Sequence, residues 1–482
     1  MAVAGGDDRT VTLTLGPNRH LEAAAARYRD PPPERLPQKR VYLDSVGRAN
    51  DGAPNIVVIL FDDMGYGDIG AYGNPLARTP AIDRLAAGGV KLTQFYATSP
   101  RCSPSRVGLM TGRYPVRALS HHCVFAPKGS LEEMALHANC LITHILADEI
   151  RLPEILSAAG YRTGIIGKWH LGKEPGFFPN ELGFQSAFGP MHSNNKKPFN
   201  IYRNGTVEIA TKDVDQSRLT ALYKSEAVKF IEKTGDGPFF LYMSHTFPHE
   251  PHHADPDHRG HTPGGESGDM IADLDRNVAA IMAALERRDV AKNTLVIVTS
   301  DNGSGFVSSV GNLRGRKGDT FGGGMRVPGI FHWPGRLPKG KVRAGMAMQI
   351  DLLPALLLVA GIVPPAYRVI DSRNLMPLLT GKTASIHDYL YNFTPYVGGA
   401  EAVRDEHFKW RAPALMEQGD FYYPAPMPIH STFSRPILTD IHRDNESYDL
   451  SNRYPADQAR LDAALKAFRA GLDENVTGRK RD

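Results

Sequence analysis

Short apolar runs alternate with longer amphipathic stretches through most of this chain, and few architectures accommodate such an order. Five continuous apolar runs predict strands covered on both faces: 55–60, 164–168, 239–245, 295–300 and 329–334. Helical spacing fills the intervals, at 79–89, 152–160, 218–233 and 269–288. Alternation of this kind predicts an α/β protein in which helices cover both faces of a large, mostly parallel sheet.

The two ends of the chain follow other patterns. Near the N-terminus, the run RYRDPPPERLPQKR is too rich in proline and charge for a regular element, so residues 1–50 are predicted to form an irregular arm. The α/β domain is then expected over 51–375. Residues 376–482 predict a smaller α+β domain with an antiparallel sheet. Its expected strands lie in 387–393, 401–412 and 446–451, and its helix carries an apolar stripe of Leu461, Leu465, Phe468 and Leu472.

Composition and charge exclude several classes of protein. The net charge of +4 gives no reason to expect a nucleic-acid partner or a polybasic membrane surface. The longest apolar run, 351–365, is interrupted by prolines and is shorter than the roughly 20 residues that cross a bilayer. The start, MAVAGGDDRTVTLTLGPNRH, lacks the pattern of a secretory signal. A cytoplasmic location is therefore predicted, or a periplasmic or secreted one if this N-terminus is incomplete.

Acidic and amide side chains follow two of the predicted buried strands. Asp62 and Asp63 come after the run 55–60, and Asp301 and Asn302 come after a second such run. Ligands of open parallel sheets bind beyond the carboxyl ends of strands. Three carboxylates and an amide carbonyl would favour calcium or magnesium over zinc. The alternative is that these residues only form turns, since Asp-Asp and Asp-Asn-Gly are common turn formers.

The segment CSPSR leads directly into a predicted helix. Pro104 suits the first helical turn, which places Cys102 near the helix start, where free backbone N–H groups favour negative charge. Arg106 follows one turn later. Such a position would acidify a thiol or hold a bound sulfate or phosphate. An ordinary capped helix is the alternative. The other cysteines, Cys123 and Cys140, are expected to pack as small buried residues.

Basic and histidine side chains accompany three other segments. Lys168 and His170 end a predicted strand, where alternation would point both to one side. His245 and His249 follow another strand, and Lys317 lies in a glycine-rich basic loop. Each alone would more often be an ordinary surface or hydrogen-bonded residue. Together, beside an acidic metal site, they suit a tetrahedral oxyanion ester, whose charge they neutralise and whose protons they transfer.

On these residues the chain resembles the type I sulfatases, the arylsulfatase group of the alkaline-phosphatase-like superfamily. CSPSR matches the family's C-x-P-S-R, and GYRTGIIGKWHLG matches its second signature throughout. Further similar segments occur in the family's order: PNIVVILFDDMGYGD, TPAIDRLAAGGVKLTQFYA, VIVTSDNG and GGMRVPGIFHWPG. The resemblance extends from about residue 54 to the C-terminus. It implies a three-layer alkaline-phosphatase-like sandwich that hydrolyses an aryl sulfate or a sulfated carbohydrate.

The resemblance gives Cys102 an unusual role. In the family, a separate formylglycine-generating enzyme oxidises this cysteine to Cα-formylglycine, whose hydrated aldehyde is the nucleophile. One hydroxyl attacks sulfur and releases the alcohol or phenol. The other is then deprotonated, and sulfate leaves as the aldehyde re-forms. A plain thiol could be sulfated but would lack this exit route.

The resemblance also implies a role for each matching residue. Calcium, with magnesium possible, would bind Asp62, Asp63, Asp301 and Asn302, with the formylglycine oxygen at Cys102 completing the site. Arg106 would stabilise the aldehyde hydrate. Sulfate binding and protonation of the leaving oxygen would fall to Lys168, His249 and Lys317. His170 would assist loss of the second-step proton, and His245 and Ser193 would be substrate-side contacts.

Two features depart from the family pattern. Gly322 stands where Glu is often found, which leaves Lys317 intact but opens the question of how its loop is supported and which substrate contacts it makes. The insertion within 119–150 has no counterpart and could shape the substrate cleft.

Two other functions are compatible with parts of the pattern. A phosphoester or phosphonate monoester hydrolase of the same superfamily can carry C-x-P-x-R, but its second metal strand tends to read Asp-His, so Asp301-Asn302 favours a sulfatase. A non-catalytic sulfated-glycan or anion-binding protein is disfavoured because every expected reactive position is filled. The predicted partners are a small-molecule or glycan sulfate ester and the formylglycine-generating enzyme; no oligomeric state is predicted.

Overall fold

The computed structural model describes residues 2–4, 10–12, 36–121, 125, 144–305, 307–393, 400–412, 418–419, 428–429 and 435–479. The strands in chain order are β1 (Ala2–Ala4), β2 (Thr10–Thr12), β3 (Asn55–Phe61), β4 (Val90–Leu92), β5 (Phe95–Tyr96), β6 (Arg162–Gly167), β7 (Ser186–Gly189), β8 (Ile201–Arg203), β9 (Thr206–Ile209), β10 (Phe239–Ser244), β11 (Thr294–Ser300), β12 (Gly329–His332), β13 (Lys341–Arg343), β14 (Ala347–Met348), β15 (Leu390–Phe393), β16 (Ala400–Arg404), β17 (Phe408–Arg411), β18 (Gln418–Gly419), β19 (Pro428–Ile429) and β20 (Ile437–Asp440). The helices are α1 (Leu36–Ser45), α2 (Pro80–Gly88), α3 (Cys102–Thr111), α4 (Leu152–Ala158), α5 (Leu219–Lys233), α6 (Gly265–Arg287), α7 (Gly322–Met325), α8 (Leu352–Val359), α9 (Met376–Thr380) and α10 (Pro455–Glu474).

A ten-stranded sheet in the order β13-β4-β12-β11-β3-β10-β6-β7-β8-β9 forms the centre of the molecule. Its middle strands β11, β3, β10, β6 and β7 are all parallel to their neighbours in that run. Antiparallel pairs occur on either side, between β11 and β12 and between β7 and β8. The predicted large, mostly parallel sheet is therefore confirmed, with mixed edges.

Helices cover both faces of this sheet, as the apolar runs predicted. All seven residues of β3 are buried, because its alternate side chains enter two different cores. Ile56, Val58 and Leu60 face the core that contains residues of α3, α4 and α8. Val57, Ile59 and Phe61 face the core of α2, α5 and α6. Burial of each large apolar side chain contributes about 1.5–3 kcal/mol, which favours a continuously apolar strand at this central place.

The C-terminal region forms an antiparallel sheet in the order β15-β16-β17-β20, packed against α10. Leu461, Leu465 and Leu472 of α10 are buried there, which confirms the predicted stripe. The predicted strand at 446–451 is wrong, because the fourth strand is Ile437–Asp440 and the chain turns after it. Asn445 and Glu446 adopt positive φ values of 54° and 62°, a conformation that extended strands do not contain.

Two predicted boundaries also change. Within the segment 1–50, which was predicted to be irregular, residues Leu36–Ser45 form a helix. Tertiary contacts override its weak local pattern, since Lys39 Nζ donates to the backbone oxygens of Ala147 and Glu149 at 3.0 and 2.9 Å. In α9, Leu378 and Leu379 belong to the first core. Residues just past the predicted boundary at 375 therefore pack against the α/β module.

No helix among the described residues is long and apolar enough to cross a membrane. Cys123 and Cys140, whose burial was predicted, lie outside the described residues, as does much of the segment 119–150.

Candidate active site

The candidate site lies where four parallel strands end at one edge of the central sheet. Pairing in register places Phe61 of β3 beside Ser300 of β11, and Gly167 of β6 beside Ser244 of β10. The next residues along these strands therefore meet. They include Asp62, Asp63, Lys168, Asp301 and Asn302. Convergence of these polar residues at the strand ends is what the sequence predicted.

A compact group of acidic and sulfur atoms occupies the centre of the site. One ligand atom from each of Asp62, Asp63, Cys102 and Asp301 lies within 4.8 Å of the other three, and all four residues are buried. The thiol of Cys102 donates to Asp62 Oδ1 at 3.4 Å and lies 4.0 Å from Asp63 Oδ1. Buried carboxylates this close repel one another unless cations compensate them.

Asn302 joins the same group through its side-chain amide. Its Nδ2 donates to Asp63 Oδ1 at 2.8 Å. Its Oδ1 is buried and has no hydrogen-bond partner among the described residues. A buried carbonyl oxygen left in this state costs about 1–3 kcal/mol, and a bound cation would satisfy it. The donor set, three carboxylates and an amide oxygen, suits a hard divalent cation.

Three cations each pair with one of the three carboxylates; Arg106 and Lys168 are buried, and the Lys317 side chain is 18% exposed. Arg106 donates from Nε to Asp301 Oδ2 at 2.9 Å, and its Nη2 lies 2.9 Å from the same oxygen. Lys168 Nζ lies 2.5 Å from Asp62 Oδ2, and Lys317 Nζ lies 2.7 Å from Asp63 Oδ2. The charges of these six groups balance. Addition of a divalent cation would leave an excess of positive charge, which favours an anionic substrate.

Arg106 is fixed by further contacts inside the protein. Its Nη1 donates to the backbone oxygen of Lys168 at 2.9 Å and to Ser244 Oγ at 2.6 Å. Ser244 Oγ in turn donates to the same Lys168 oxygen at 2.7 Å. The guanidinium therefore joins the strand ends of β6, β10 and β11, as its planar, multiply donating shape allows.

Cys102 is the first residue of α3, in agreement with the predicted helix start. The expectation of an acidified thiol is wrong for the encoded cysteine. Burial raises the pKa of the Cys102 thiol, and Asp62 and Asp301 raise it further, against the opposing effect of Lys168 and Lys317. The desolvation of a fully buried thiolate outweighs the helix dipole, whose effect is about 1 kcal/mol.

The carboxyl and ammonium groups are strongly perturbed as well. Burial alone would raise the pKa of Asp63, but Lys317, His249 and Lys168 hold it below its usual range. Burial raises the pKa of Asp301 to about 6, and Asp62 adds to this effect. Burial disfavours the ammonium of Lys317, yet Asp63, Cys102 and Asp62 hold its pKa well above normal. Strong perturbation of this kind is typical of functional sites.

His249 faces Asp63 with one ring nitrogen and the protein backbone with the other. Its Nε2 lies 3.8 Å from Asp63 Oδ2. Its Nδ1 lies 2.6 Å from the oxygen of Glu250 and 3.1 Å from Asn194 Oδ1, two acceptors that place the proton on Nδ1. Burial lowers the pKa of His249 to about 3, with Lys317 acting in the same direction.

His170 reaches the site by a different route from the one predicted. Strand β6 ends at Gly167, and His170 adopts a φ of 62°, so strand alternation does not orient it. Its backbone N–H donates to Met191 at 3.0 Å. Burial lowers the pKa of His170 well below its usual value, and Lys168 and Arg106 contribute to that shift. A left-handed residue of this type stores local strain, which recurs at functional sites.

The two predicted substrate-side contacts, His245 and Ser193, lie in different environments. The ring of His245 stacks on Phe61 at 5.3 Å and approaches Tyr223 at 6.4 Å, within the second core. Neither of its ring nitrogens has a partner among the described residues. This placement disfavours the predicted substrate contact. Ser193 is buried and directly precedes Asn194, so it lies on the segment that contacts His249.

Some supporting residues escaped the sequence analysis. Ser244 contacts Arg106, and Asn194 contacts His249. Gln349 fixes the end of β11, where its Nε2 donates to the backbone oxygen of Ser300 at 2.5 Å. Asn194 stands in the run HSNN beside the predicted Ser193, which was the only signal for it. Gln349 contacts a strand far from it in the sequence, and no sequence pattern indicated this contact.

The loop around Gly322, where the chain departs from the family pattern, contacts an acidic residue from elsewhere. The backbone N–H of Gly322 donates to Glu446 Oε2 at 2.5 Å. A carboxylate therefore supports this loop, but it comes from the turn after β20.

The three-layer α/β fold and this buried group of carboxylates, thiol and cations define a hydrolase of oxyanion esters. A fold and site of this kind are compatible with both sulfate and phosphate esters. Comparison with known proteins makes that distinction.

The chain belongs to the sulfatase family, whose family model, described as Sulfatase, matches residues 54–362. It is 36% identical to N-acetylgalactosamine-6-sulfatase of Canis lupus familiaris, over 70% of this chain and 69% of that protein. It is 32% identical to arylsulfatase A of Homo sapiens, with 92% of each chain covered. The solved structure of a sulfatase from Pseudoalteromonas sp. matches with a TM-score of 0.75 at 25% identity, covering 93% of this chain and 96% of that one.

These matches confirm the predicted family, the alkaline-phosphatase-like fold and the activity of a sulfuric ester hydrolase.

Proposed function

We propose that this sulfatase hydrolyses a sulfate monoester of a carbohydrate or an aryl alcohol, with Cα-formylglycine formed from Cys102 and a bound divalent metal, preferably Ca²⁺. The central observation is the position of Cys102, which contacts Asp62 in a group of three buried carboxylates and three cations. This group combines a metal-ligand set with cations that suit an anionic ester.

Asp62, Asp63, Asp301 and Asn302 would hold the metal, and the residue at 102 would complete the set. The fit rests on the 4.8 Å grouping of ligand atoms and on the unpartnered Oδ1 of Asn302. When bound, the ion would supply Lewis-acid polarisation of an oxygen atom at position 102. Calcium is preferred over magnesium because the buried carboxylate and amide oxygens could surround the larger ion without retained water.

The modified side chain would supply the nucleophilic oxygen, as it does throughout the family. Arg106 is placed to stabilise that group, since it spans the ends of three strands beside Cys102. The side chains of Lys168 and Lys317 would bind the sulfate oxygens. Both ammonium groups lower the pKa of the Cys102 thiol, so an anion bound at position 102 would interact with both of them.

His249 and His170 would transfer protons. The proton on Nδ1 of His249 faces Glu250, so Nε2 is the atom that faces the site. A sulfate ester beside this ring would favour its protonated form, from which Nε2 could donate to the leaving oxygen. His170, neutral because of burial and neighbouring cations, is suited to accept a proton in the second step.

The relatives include an N-acetylgalactosamine-6-sulfatase and an arylsulfatase, which supports sulfated carbohydrates and aryl sulfates as the substrate class. The formylglycine-generating enzyme is the proposed partner in maturation. The cytoplasmic location stays a prediction.

The deciding experiment compares aryl sulfate and aryl phosphate turnover by protein purified from its native host, with mass spectrometry of the peptide that contains Cys102. We expect the mass of formylglycine, a preference for sulfate and no turnover by the matched variant Cys102→Ala. An unmodified thiol in active protein would overturn the formylglycine mechanism. A strong preference for phosphate would instead support a phosphoester hydrolase, and inactivity of fully converted protein would support a binding protein.

A further inference from the structure

The loop that carries Lys317 is held by the C-terminal module as well as by the α/β module. Four charged residues of the C-terminal module contact it, and all are at most 3% exposed: Glu401, Lys409, Arg411 and Glu446. We name these four residues the clamp. Two acids and two bases balance within it, which permits their burial.

The clamp fixes Thr320, on the C-terminal side of Lys317. Lys409 Nζ donates to the backbone oxygen of Thr320 at 2.9 Å. Thr320 Oγ1 donates to Glu401 Oε2 at 3.0 Å, and Arg411 bonds to both Thr320 and Glu401. Backbone and side chain of this one residue are therefore both held by the C-terminal sheet.

Glu446 fixes the base of the same loop, by which we mean the place where Arg314 meets residues 321–323. Its Oε2 accepts from the N–H of Gly322 at 2.5 Å, and its Oε1 lies 2.6 Å from Lys409 Nζ. Its backbone oxygen accepts from Arg314. Because Gly323 N donates to Arg314 O at 2.6 Å, the loop is closed on itself at the point where Glu446 binds.

An aromatic residue lies at the centre of this base. Phe321 is 4% exposed, and the guanidinium carbons of Arg314 and Arg411 lie 4.1 and 4.0 Å from its ring. Two cation–π contacts resist displacement of the ring. Lys317, between these fixed points, donates from its backbone N–H to Ser304 at 2.9 Å and reaches Asp63 with its ammonium.

Gly322 and Glu446 are matched by shape. A Cβ at residue 322 would lie 3.1 Å from Glu446 Oε2, closer than an unstrained contact allows, and its next neighbour is Leu313 Cδ2 at 3.4 Å. The glycine therefore admits the carboxylate of Glu446. Glu446 itself adopts a φ of 62°, a strained conformation that persists only where the surroundings enforce it.

We propose that Glu446 is a positioning residue for the reaction, which acts through Lys317 by fixing the base of its loop from the C-terminal module. Gly322 is the complementary residue that makes room for the carboxylate. This inference rests on the proposed function only for the role of Lys317 at the sulfate.

The first test is a double-mutant cycle. Glu446→Ala is expected to lower kcat/KM about tenfold in the wild-type background, and less than twofold in a Lys317→Ala background, because its effect passes through that lysine. Glu406→Ala, an exposed glutamate of the same module, is the control and should leave the rate unchanged. Equal losses from Glu446→Ala in both backgrounds would overturn the proposal.

The second test is a rescue, which stays informative if Lys317→Ala has no measurable activity. Gly322→Glu alone should lower kcat/KM, since its side chain meets Glu446. The double variant Gly322→Glu with Glu446→Ala should have a kcat/KM at least threefold higher than that of Glu446→Ala alone. The reason is that a carboxylate again occupies the same space. A double variant no better than Glu446→Ala would contradict the proposal.

Rates are measured on whichever ester the wild-type protein hydrolyses, with formylglycine content determined for each variant. An incorrect sulfatase function would show in the wild-type protein itself. An incorrect role for Glu446 would show only in the variants.

Discussion

At the scale of single residues, the site depends on the mutual compensation of buried charges. Asp62, Asp63 and Asp301 each have a cationic partner within 3 Å, and none of these groups is open to bulk water except Lys317, whose side chain is 18% exposed. Removal of one partner leaves the other as an uncompensated buried charge, which costs several kcal/mol. Function and stability are therefore coupled at these positions.

Arg106→Lys is expected to be a severe change although it keeps the charge. Lysine cannot reproduce the contacts to Asp301, Ser244 and Lys168 O together. We expect a loss of roughly 100-fold or more in kcat, as for removal of a transition-state donor, and a decrease of about 2 kcal/mol in the free energy of unfolding from unsatisfied groups. Kinetics and urea unfolding measure these effects. Arg287→Lys, at an exposed pair with Glu232, is the control; equal behaviour of the two variants would disprove the argument.

His245 and His249 provide a matched pair of substitutions. His245→Phe should keep activity and raise the free energy of unfolding by about 1 kcal/mol or more, because two unpartnered buried nitrogens are removed. His249→Phe should reduce activity about 100-fold or more, since it removes the Nε2 that is proposed to transfer a proton. Turnover of an aryl sulfate and thermal unfolding test both. Inactivity of a folded His245→Phe variant would restore this residue to the substrate site.

Removal of metal should lower thermal stability. If calcium binds the folded site and not the unfolded chain, as proposed, a concentration of 100 times Kd should stabilise the protein by about 2.7 kcal/mol. We expect the unfolding temperature to rise with Ca²⁺, to fall with chelator, and to be insensitive to both in Asn302→Leu combined with Asp63→Asn. Differential scanning fluorimetry measures it. The same calcium response in wild type and the double variant would place the ion elsewhere.

At the scale of elements, a continuous apolar strand is visible in the sequence and a contact made at long range is not. The runs that form β3, β6, β10 and β11 were predictable because burial on both faces requires apolar side chains throughout. The strand ends then determine where the polar residues that follow them lie. Helix α1 was not predictable, since Lys39 finds its partners more than 100 residues away. Asn194 and Glu446 were missed for the same reason.

Helix α1 should make stability depend on pH. Burial, with Arg151 nearby, lowers the pKa of Lys39 to about 8 from 10.5. Between these values the unfolded chain binds more protons, so this group makes the free energy of unfolding rise with pH, by at most about 1.4 kcal/mol per pH unit. The deficit of Lys39→Met relative to wild type should therefore be constant below pH 8 and widen from pH 8 to 10.

Urea unfolding of both proteins at pH 7, 9 and 10 measures this difference. Lys466→Met, at a lysine whose side chain is 73% exposed, is the control and should keep a constant offset. A constant offset for Lys39→Met as well would mean that the Lys39 amine titrates alike in the folded and unfolded protein.

At the scale of the whole molecule, the C-terminal sheet and the α/β module share one core. Tyr96, Tyr114 and Met325 of the α/β module are buried together with Trp410, Leu438 and other residues of the C-terminal module. The ring of Tyr114 lies 5.1 Å from Phe393 and 5.6 Å from Phe468. The two sheets divide the chain into two modules, but the core between the modules is built from residues of both. Through the clamp, the C-terminal module also contacts the loop that carries Lys317 into the active site.

This shared core predicts one cooperative unfolding transition. The chain has three tryptophans: Trp410 reports on the C-terminal module, and Trp169 and Trp333 lie in the first core of the α/β module. Fluorescence of Trp169→Phe combined with Trp333→Phe follows only the C-terminal module, and Trp410→Phe follows only the other. In each variant, the midpoint of the fluorescence transition is compared with the midpoint of helix loss, measured by circular dichroism on the same protein. The two midpoints should agree in both variants. An earlier midpoint for Trp410 would show that the C-terminal module unfolds separately, and activity should then be lost with that first transition, because the Lys317 loop would have lost its clamp.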